Sequence, residues 1–233
     1  SYSRFKHFTI HQDKCAMKVS TDACILGAWL KLRKDTRLLL DVGAGTGLLS
    51  LMLAQRYHEL QIDAIELDEH AALQARENVI NTPWVERINV LQADAKSYAY
   101  EHKYDCIIAN PPFFNNSLLG DNEQRNRARH TVSLTYGDLF TIIKNNLSIN
   151  GFSAVLLPVT GLDTWEAILR ENDWHVSTKL LVHPRAGQPA NRVIVTCVNN
   201  AEVSFAEEHI YIRNADNSYT NEFTTLMQPY YLG

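Results

Sequence analysis

The chain predicts an α/β fold, a mostly parallel sheet with helices on both faces, and three observations carry that expectation. Apolar runs of strand length alternate with helix-forming segments along most of the 233 residues, the pattern left by right-handed crossovers between parallel strands. Arg37 to Val42 is almost wholly apolar, as a strand buried on both faces must be. That run passes at once through Gly43-Ala44-Gly45-Thr46-Gly47 into the helix-forming segment Leu48 to Tyr57, a tight strand-to-helix turn in which glycine can take positive φ.

Each element then follows in order. Thr21 to Leu32 reads as a helix with Ser20 or Thr21 as its N-cap and Ile25, Leu26 and Trp29 on one face. Beyond the glycine turn come strand Gln61 to Glu66, helix Glu69 to Asn81, strand Ile88 to Leu91 and strand Tyr104 to Ala109. Asn110 to Leu134 shows no clear element, and a connection that long in a compact domain is usually functional. Helix Tyr136 to Asn146 follows, then a turn at Asn150-Gly151, strand Phe152 to Pro158 and helix Leu162 to Asn172. Val176 to Val182, Arg192 to Val198 and His209 to Arg213 are candidate closing strands.

Composition narrows the class. Hydrophobic residues make up 45% and charged residues 21%, the balance of a globular domain with a full core. No apolar run is long enough to span a membrane and the first residues lack the apolar core of a signal peptide, so a cytoplasmic protein is expected. Cys15, Cys24, Cys106 and Cys197 never form a Cys-x-x-Cys pair, which predicts reduced thiols and no metal. The net charge of −4 argues against nucleic-acid binding by bulk charge. Its distribution tempers that, because Arg4, Lys6, Lys14 and Lys18 crowd the first residues, and Lys179, Arg185 and Arg192 lie in a stretch without acids.

Asp41, Glu66 and Asp94 close three successive predicted strands. In a parallel sheet those ends share one edge, where open α/β sheets bind ligands. Gly-x-Gly-x-Gly is not the dinucleotide spacing, and an acid directly before the first glycine suits a cation better than a pyrophosphate. Asp41 can meet an ammonium or lie near a sulfonium, Glu66 stands at the offset of a ribose-binding acid, and Asp94 can accept from an adenine amine. Together with the Gly43, Gly45 and Gly47 turn they fit an adenosine-bearing cation, S-adenosylmethionine.

Asn110-Pro111-Pro112-Phe113, directly after Ile107-Ile108-Ala109, is the sharper signal. The prolines stiffen the main chain and force extended backbone before each of them. In such a corner the Asn110 side-chain oxygen and the Pro111 carbonyl can take both hydrogens of a substrate amine. An amine conjugated to a purine is a poor nucleophile; two fixed acceptors localise its lone pair toward an electrophilic methyl group. Phe113 offers a face for base stacking.

Asp-Val-Gly-Ala-Gly-Thr-Gly from Asp41, followed by Asn-Pro-Pro-Phe from Asn110, resembles the class I S-adenosylmethionine-dependent methyltransferases that modify planar amino or amide nitrogens. The stretch Phe8 to Asp22, ending Lys-Val-Ser-Thr-Asp, and Leu26-Gly-Ala-Trp29 beyond it are similar to the bacterial methyltransferases of adenine 37 N6 in a valine tRNA, a likeness running from Phe8 to Leu232. The Arg-His-Thr segment after the long connection and the late Tyr-Thr-Asn-Glu-Phe belong to the same likeness.

The resemblance implies a Rossmann-like domain with a seven-stranded sheet over residues 37–233, preceded at 1–36 by a basic arm and a helix covering the cofactor, all in one structural unit. It implies that Lys18, Thr21 and Asp22 fold over the methionine end of the cofactor, which Asp41, Gly43, Gly45, Gly47, Glu66, Asp94 and Asn110 also touch. Asn110, Pro111, Pro112 and Phe113 would be catalytic, with Phe113 standing where relatives often carry Tyr. Arg125, Arg127, Arg129 and His130, and beyond them His183, Arg185 and Arg192, would meet RNA phosphates. The target adenine has to be presented unstacked.

The alternatives are a guanine-N2, DNA adenine or protein glutamine-N5 methyltransferase, or a silent protein that holds the cofactor and RNA. Glutamine enzymes typically carry a helical module before the catalytic domain, and the roughly 37 residues ahead of the first strand do not read as one. Guanine enzymes usually have a duplicated domain and DNA enzymes a larger recognition insertion. The intact Asn110–Phe113 motif argues against the silent protein.

Overall fold

The computed structural model describes residues 1–112 and 134–233. A short hairpin of β1 (Tyr2–Arg4) and β2 (Thr9–His11) is followed by α1 (Thr21–Trp29), β3 (Leu38–Val42), α2 (Leu48–Arg56), β4 (Gln61–Glu66), α3 (Glu69–Ile80), β5 (Ile88–Gln92) and β6 (Tyr104–Ala109). After the undescribed residues come α4 (Tyr136–Asn146), β7 (Leu147–Pro158), α5 (Leu162–Glu171), β8 (His175–Arg185), β9 (Arg192–Val198), β10 (Ala206–Arg213) and α6 (Asn221–Met227).

Local chemistry sets the helix starts. Ser20 Oγ accepts from Ala23 N at 3.2 Å and Asp68 Oδ1 from Ala71 N at 2.8 Å. Thr135 and Asp138 satisfy each other's backbone N–H groups in a capping box. Helix α1 stops at Trp29, short of the expected Leu32, where Leu30 turns extended.

The sheet order is β10-β8-β9-β7-β6-β3-β4-β5. Strands β5, β4, β3, β6 and β7 run parallel, β9 is antiparallel to its neighbours β7 and β8, and β10 is parallel to β8. Among the described residues the sheet thus has eight strands, one more than the expected seven, because Ala206–Arg213 pairs fully along β8 as an added edge. Alternation divides the core. Leu39, Cys106, Ile108, Ala154 and Leu156 face α1, α2, α3 and α6, whereas Leu40, Val42, Ile107, Ala109, Val155 and Leu157 face α4 and α5.

One further expectation is corrected. Asn150-Gly151 does not precede the strand but lies inside β7, in a bulge where Ser148 to Gly151 stand opposite Asp105. The basic arm packs against α3. Phe5 and Phe8 are buried and stack at 4.7 Å, and His11 N and Lys14 N donate to the Asn78 and Gln74 side chains of α3. Two of its cations are engaged within the fold: Lys14 pairs with Glu77 at 2.9 Å and Lys6 Nζ donates to the Gln228 carbonyl at 2.5 Å.

Candidate functional site

The parallel strands bring Asp41, Glu66 and Asn110 to one edge. Asp41 is 1% exposed; its Oδ2 accepts from Ser50 Oγ at 2.8 Å, whereas its Oδ1 is buried with no hydrogen-bond partner among the described residues. Burial pushes its carboxyl up to about 6, against the opposing pull of the Ser50 hydrogen bonds. Glu66 is pushed up to about 7, first by burial and then by Asp68 and Asp41, with a backbone hydrogen bond from Gly45 working the other way. Gly43 and Gly45 lie at φ +72° and +55°, and a Cβ on either would meet nothing within 4 Å. The turn therefore presents bare main chain to open space beside a buried, half-satisfied carboxylate.

The register places the Asn-Pro-Pro corner alongside. Asp41 pairs with Ile108 and Val42 with Ala109, so the residues that follow, Gly43 and Asn110, leave the sheet side by side and line the same cavity. Asn110 is half-buried and Pro111 buried. Met17, Lys18, Val19, Asp41, Gly43–Thr46 and Asn110 line one cavity. A second cavity is lined by Met17, Asp22, Asn110, Pro111, Pro112, Tyr136 and Arg192, among others. Asn110 and Met17 are the described residues that line both.

The remaining expected residues divide. Lys18 is exposed and lines the glycine-side cavity. Thr21 lines neither cavity; it is the first residue of α1, next to the Ser20 cap. Asp22 lines the second cavity, not the glycine-side one, because on α1 its carboxylate turns to Arg192 Nε at 3.7 Å; its pKa is raised by burial, which Arg192 opposes. Asp94 Oδ1 caps a turn by accepting from Lys96 N at 2.9 Å and lines neither cavity. Gly47 is the N-cap of α2 at φ +84°, a conformation that favours glycine, and a Cβ there would make an ordinary contact with Ala75 at 3.6 Å. Arg185 lies at the end of β8, outside both cavities. Phe113, Arg125, Arg127, Arg129 and His130 lie outside the described residues.

Three residues were not anticipated. Ser50 is completely buried as the polar member of the run Leu48-Leu-Ser-Leu-Met-Leu-Ala54, a signal present in the sequence. Met17 and Tyr136 carry no such signal; folding alone sets them at the cavities.

These residues fit S-adenosylmethionine. A buried carboxylate with a spare oxygen suits the cationic amino-acid end, and the glycine turn leaves space that any side chain would fill. No group of three or more His, Cys, Asp or Glu side chains able to hold a metal occurs among the described residues, whose four cysteines are free and buried.

A strand order with one antiparallel member, and a glycine turn at the end of a central strand, are features of class I methyltransferases, and solved structures agree on the fold. A predicted O-methyltransferase of Agrobacterium tumefaciens superposes with a TM-score of 0.69 at 19% identity, covering 88% of this chain and 95% of its own. A glycopeptide N-methyltransferase complexed with S-adenosyl-L-methionine gives 0.55 at 13% identity over 80% and 89%. The methyltransferase small domain model matches residues 16–150. The tRNA1(Val) (adenine(37)-N6)-methyltransferase of Serratia proteamaculans is 39% identical over 98% of this chain and 88% of that protein. The Bacteroides fragilis protein of the same name is 38% identical over 99% and 98%. The chain belongs to the tRNA1(Val) (adenine(37)-N6)-methyltransferase family.

Proposed function

We propose that the protein transfers a methyl group from S-adenosylmethionine to the exocyclic N6 amine of adenine in RNA, at adenine 37 of a valine tRNA. The observation that carries this reading is the position of Asn110 in the wall shared by the two cavities, with the glycine turn on one side and Tyr136 and Arg192 on the other. The family membership supplies the substrate class.

When bound, the cofactor supplies an electrophilic methyl on a sulfonium. Asp41, Lys18 and the glycine turn hold its amino-acid end, and Glu66 is set to meet the ribose hydroxyls. On the other side the Asn110 side-chain oxygen and Pro111 carbonyl accept the two hydrogens of the target amine, turning its lone pair toward the first cavity. Pro111 and Pro112 keep those acceptors from relaxing. Phe113 stacks on the base. Arg192, steadied by Asp22, meets the phosphate next to the flipped nucleotide, and the family likeness assigns further RNA contacts to Arg125, Arg127, Arg129 and His130. The methylated amine gives up its proton to water, so no dedicated base is needed.

No helix among the described residues is long and apolar enough to cross a membrane, and the reading assigns the work to the cytoplasm. The test is to incubate the protein with labelled cofactor and unmodified total tRNA, ribosomal RNA and DNA in parallel, then identify the labelled nucleoside. Label in tRNA N6-methyladenosine is expected; label elsewhere, or none, overturns the reading.

A further inference from the structure

Two guanidinium groups converge on one residue at the far end of the same sheet edge. Arg185 Nη2 donates to Asn217 Oδ1 at 3.0 Å and Arg213 Nη1 donates to the Asn217 carbonyl at 2.8 Å. Asn217 sits in the left-handed region at φ +72°, in a turn closed by Asn217 N to Asn214 O at 3.0 Å and Asn214 N to Ser218 O at 2.8 Å. The Arg213 guanidinium lies over the Tyr219 ring, 4.4 Å from its centroid, which fixes its plane.

The platform is braced from behind. Arg185 and Arg213 are register partners, and Ala186 N donates to the Arg213 carbonyl at 2.8 Å. His183, stacked on Tyr211 at 4.2 Å, bonds the Gln188 carbonyl through Nδ1 at 2.8 Å and so closes the loop that carries Arg185. The neighbouring acids are turned to other work. Asp216 accepts from the Ser218 N and hydroxyl, Glu222 accepts from Tyr211 N at 2.8 Å, and Glu207 faces His209. Among the described residues neither arginine has a carboxylate partner within 4 Å.

Two guanidinium groups fixed on one residue with no carboxylate partner among the described residues leave positive charge there, and a pair of guanidinium forks matches phosphate oxygens. Arg185 and Arg213 end β8 and β10 on the edge where Asn110 ends β6, because β8 and β7 are both antiparallel to β9. Strand β10 is four places from β6, roughly 19 Å at about 4.8 Å per step. That distance is beyond the phosphates of the target nucleotide.

We propose that Arg185 and Arg213, held by Asn217 and Tyr219, form a second docking platform for the phosphate backbone of the substrate RNA, gripping the paired stem next to the loop that enters the pocket. This rests on the RNA methyltransferase reading above. Duplex RNA is met through its phosphates and shape, not its sequence, which suits two guanidinium forks braced by a rigid turn.

The test measures binding of unmodified tRNA to the full chain across a salt series, for the wild type, R185A/R213A and R185K/R213K. The alanine pair is expected to bind about 10-fold more weakly, with the slope of log affinity against log salt shallower by about 1 to 2, while the lysine pair, which keeps the charges and loses the forks, recovers the slope but only part of the affinity. Cofactor binding and circular dichroism of each variant check the fold. Affinity and slope unchanged in the alanine pair, with the wild type methylating the same tRNA, overturn the platform alone. A salt slope that lysine does not restore also overturns it, in favour of a structural role. No methyl transfer to tRNA by the wild type overturns the underlying reading as well.

Discussion

Ser50 Oγ donates a 2.8 Å hydrogen bond to Asp41 Oδ2 across the strand-to-helix turn, joining two polar side chains that are both buried. The hydroxyl orients the carboxylate and leaves its second oxygen for the ligand.

That pairing sets a pH dependence. Asp41 and Glu66 are raised to about 6 and about 7. Because their folded values lie above the ordinary ones, the free protein holds protons that the unfolded chain has released. Their contribution to stability is therefore present below about pH 4 and lost as pH rises through 6 to 7. A cation at Asp41 favours the ionised form, so cofactor binding near pH 6.5 is expected to release protons and to tighten toward pH 7.5. Calorimetry in buffers of different ionisation heat reads the proton count, and a count of zero defeats the assignment. Ser50→Ala is expected to cost about 1–3 kcal/mol and to move the transition to higher pH.

Asn110→Ala removes one of the two acceptors and little else. Turnover is expected to fall by about 10²–10³ with cofactor affinity within a few-fold of wild type, whereas Asp41→Ala loses the cofactor itself. Single-turnover rates beside equilibrium binding separate the two, and undiminished turnover in Asn110→Ala removes its role.

Gly45→Ala tests whether the empty space at the turn belongs to a ligand. An added Cβ meets nothing within 4 Å, and only the positive φ opposes it, so the free protein is expected to lose about 1 kcal/mol. Cofactor affinity is expected to drop far more than stability. Thermal melts with and without cofactor read both, and equal small losses contradict the cradle.

Gly161→Ala acts on the second cavity from behind. A Cβ there would lie 1.9 Å from the Tyr136 hydroxyl and 2.7 Å from its Cζ, so the ring that lines the cavity has to move. A loss of about 1–3 kcal/mol and a raised KM for RNA are expected. Adding Tyr136→Ala relieves the clash, so the stability costs of the pair should not add. Strict additivity would falsify the steric account.

Periodicity and turn chemistry made much of the architecture legible. Gln61–Glu66, Tyr104–Ala109, Tyr136–Asn146 and Arg192–Val198 fall where the sequence places them, because alternating or helical apolar spacing is local information. The β1–β2 hairpin and α6 were not visible. Tyr2–Arg4 and Thr9–His11 are too short for periodicity to show, and they hold together through Asn78 and Gln74 of α3 far along the chain. Asp22 and Asp94 show the same boundary within the site: the resemblance and residue type suggest ligand contacts, while the protein groups they also meet, the Arg192 guanidinium and the Lys96 N–H, become visible only in the fold.

The amino-acid sequence by itself determined the glycine turn after Asp41, the stiff Asn110-Pro111-Pro112 corner and the alternation that builds a parallel sheet, since each is a property of neighbouring residues. Only the tertiary structure decided that Asn110 stands beside Gly43 and divides two cavities, that Asp22 answers Arg192, and that Arg185 and Arg213 meet at Asn217. Those relations depend on strand register and on strands distant in sequence becoming neighbours, which packing of the whole core selects and no short segment encodes.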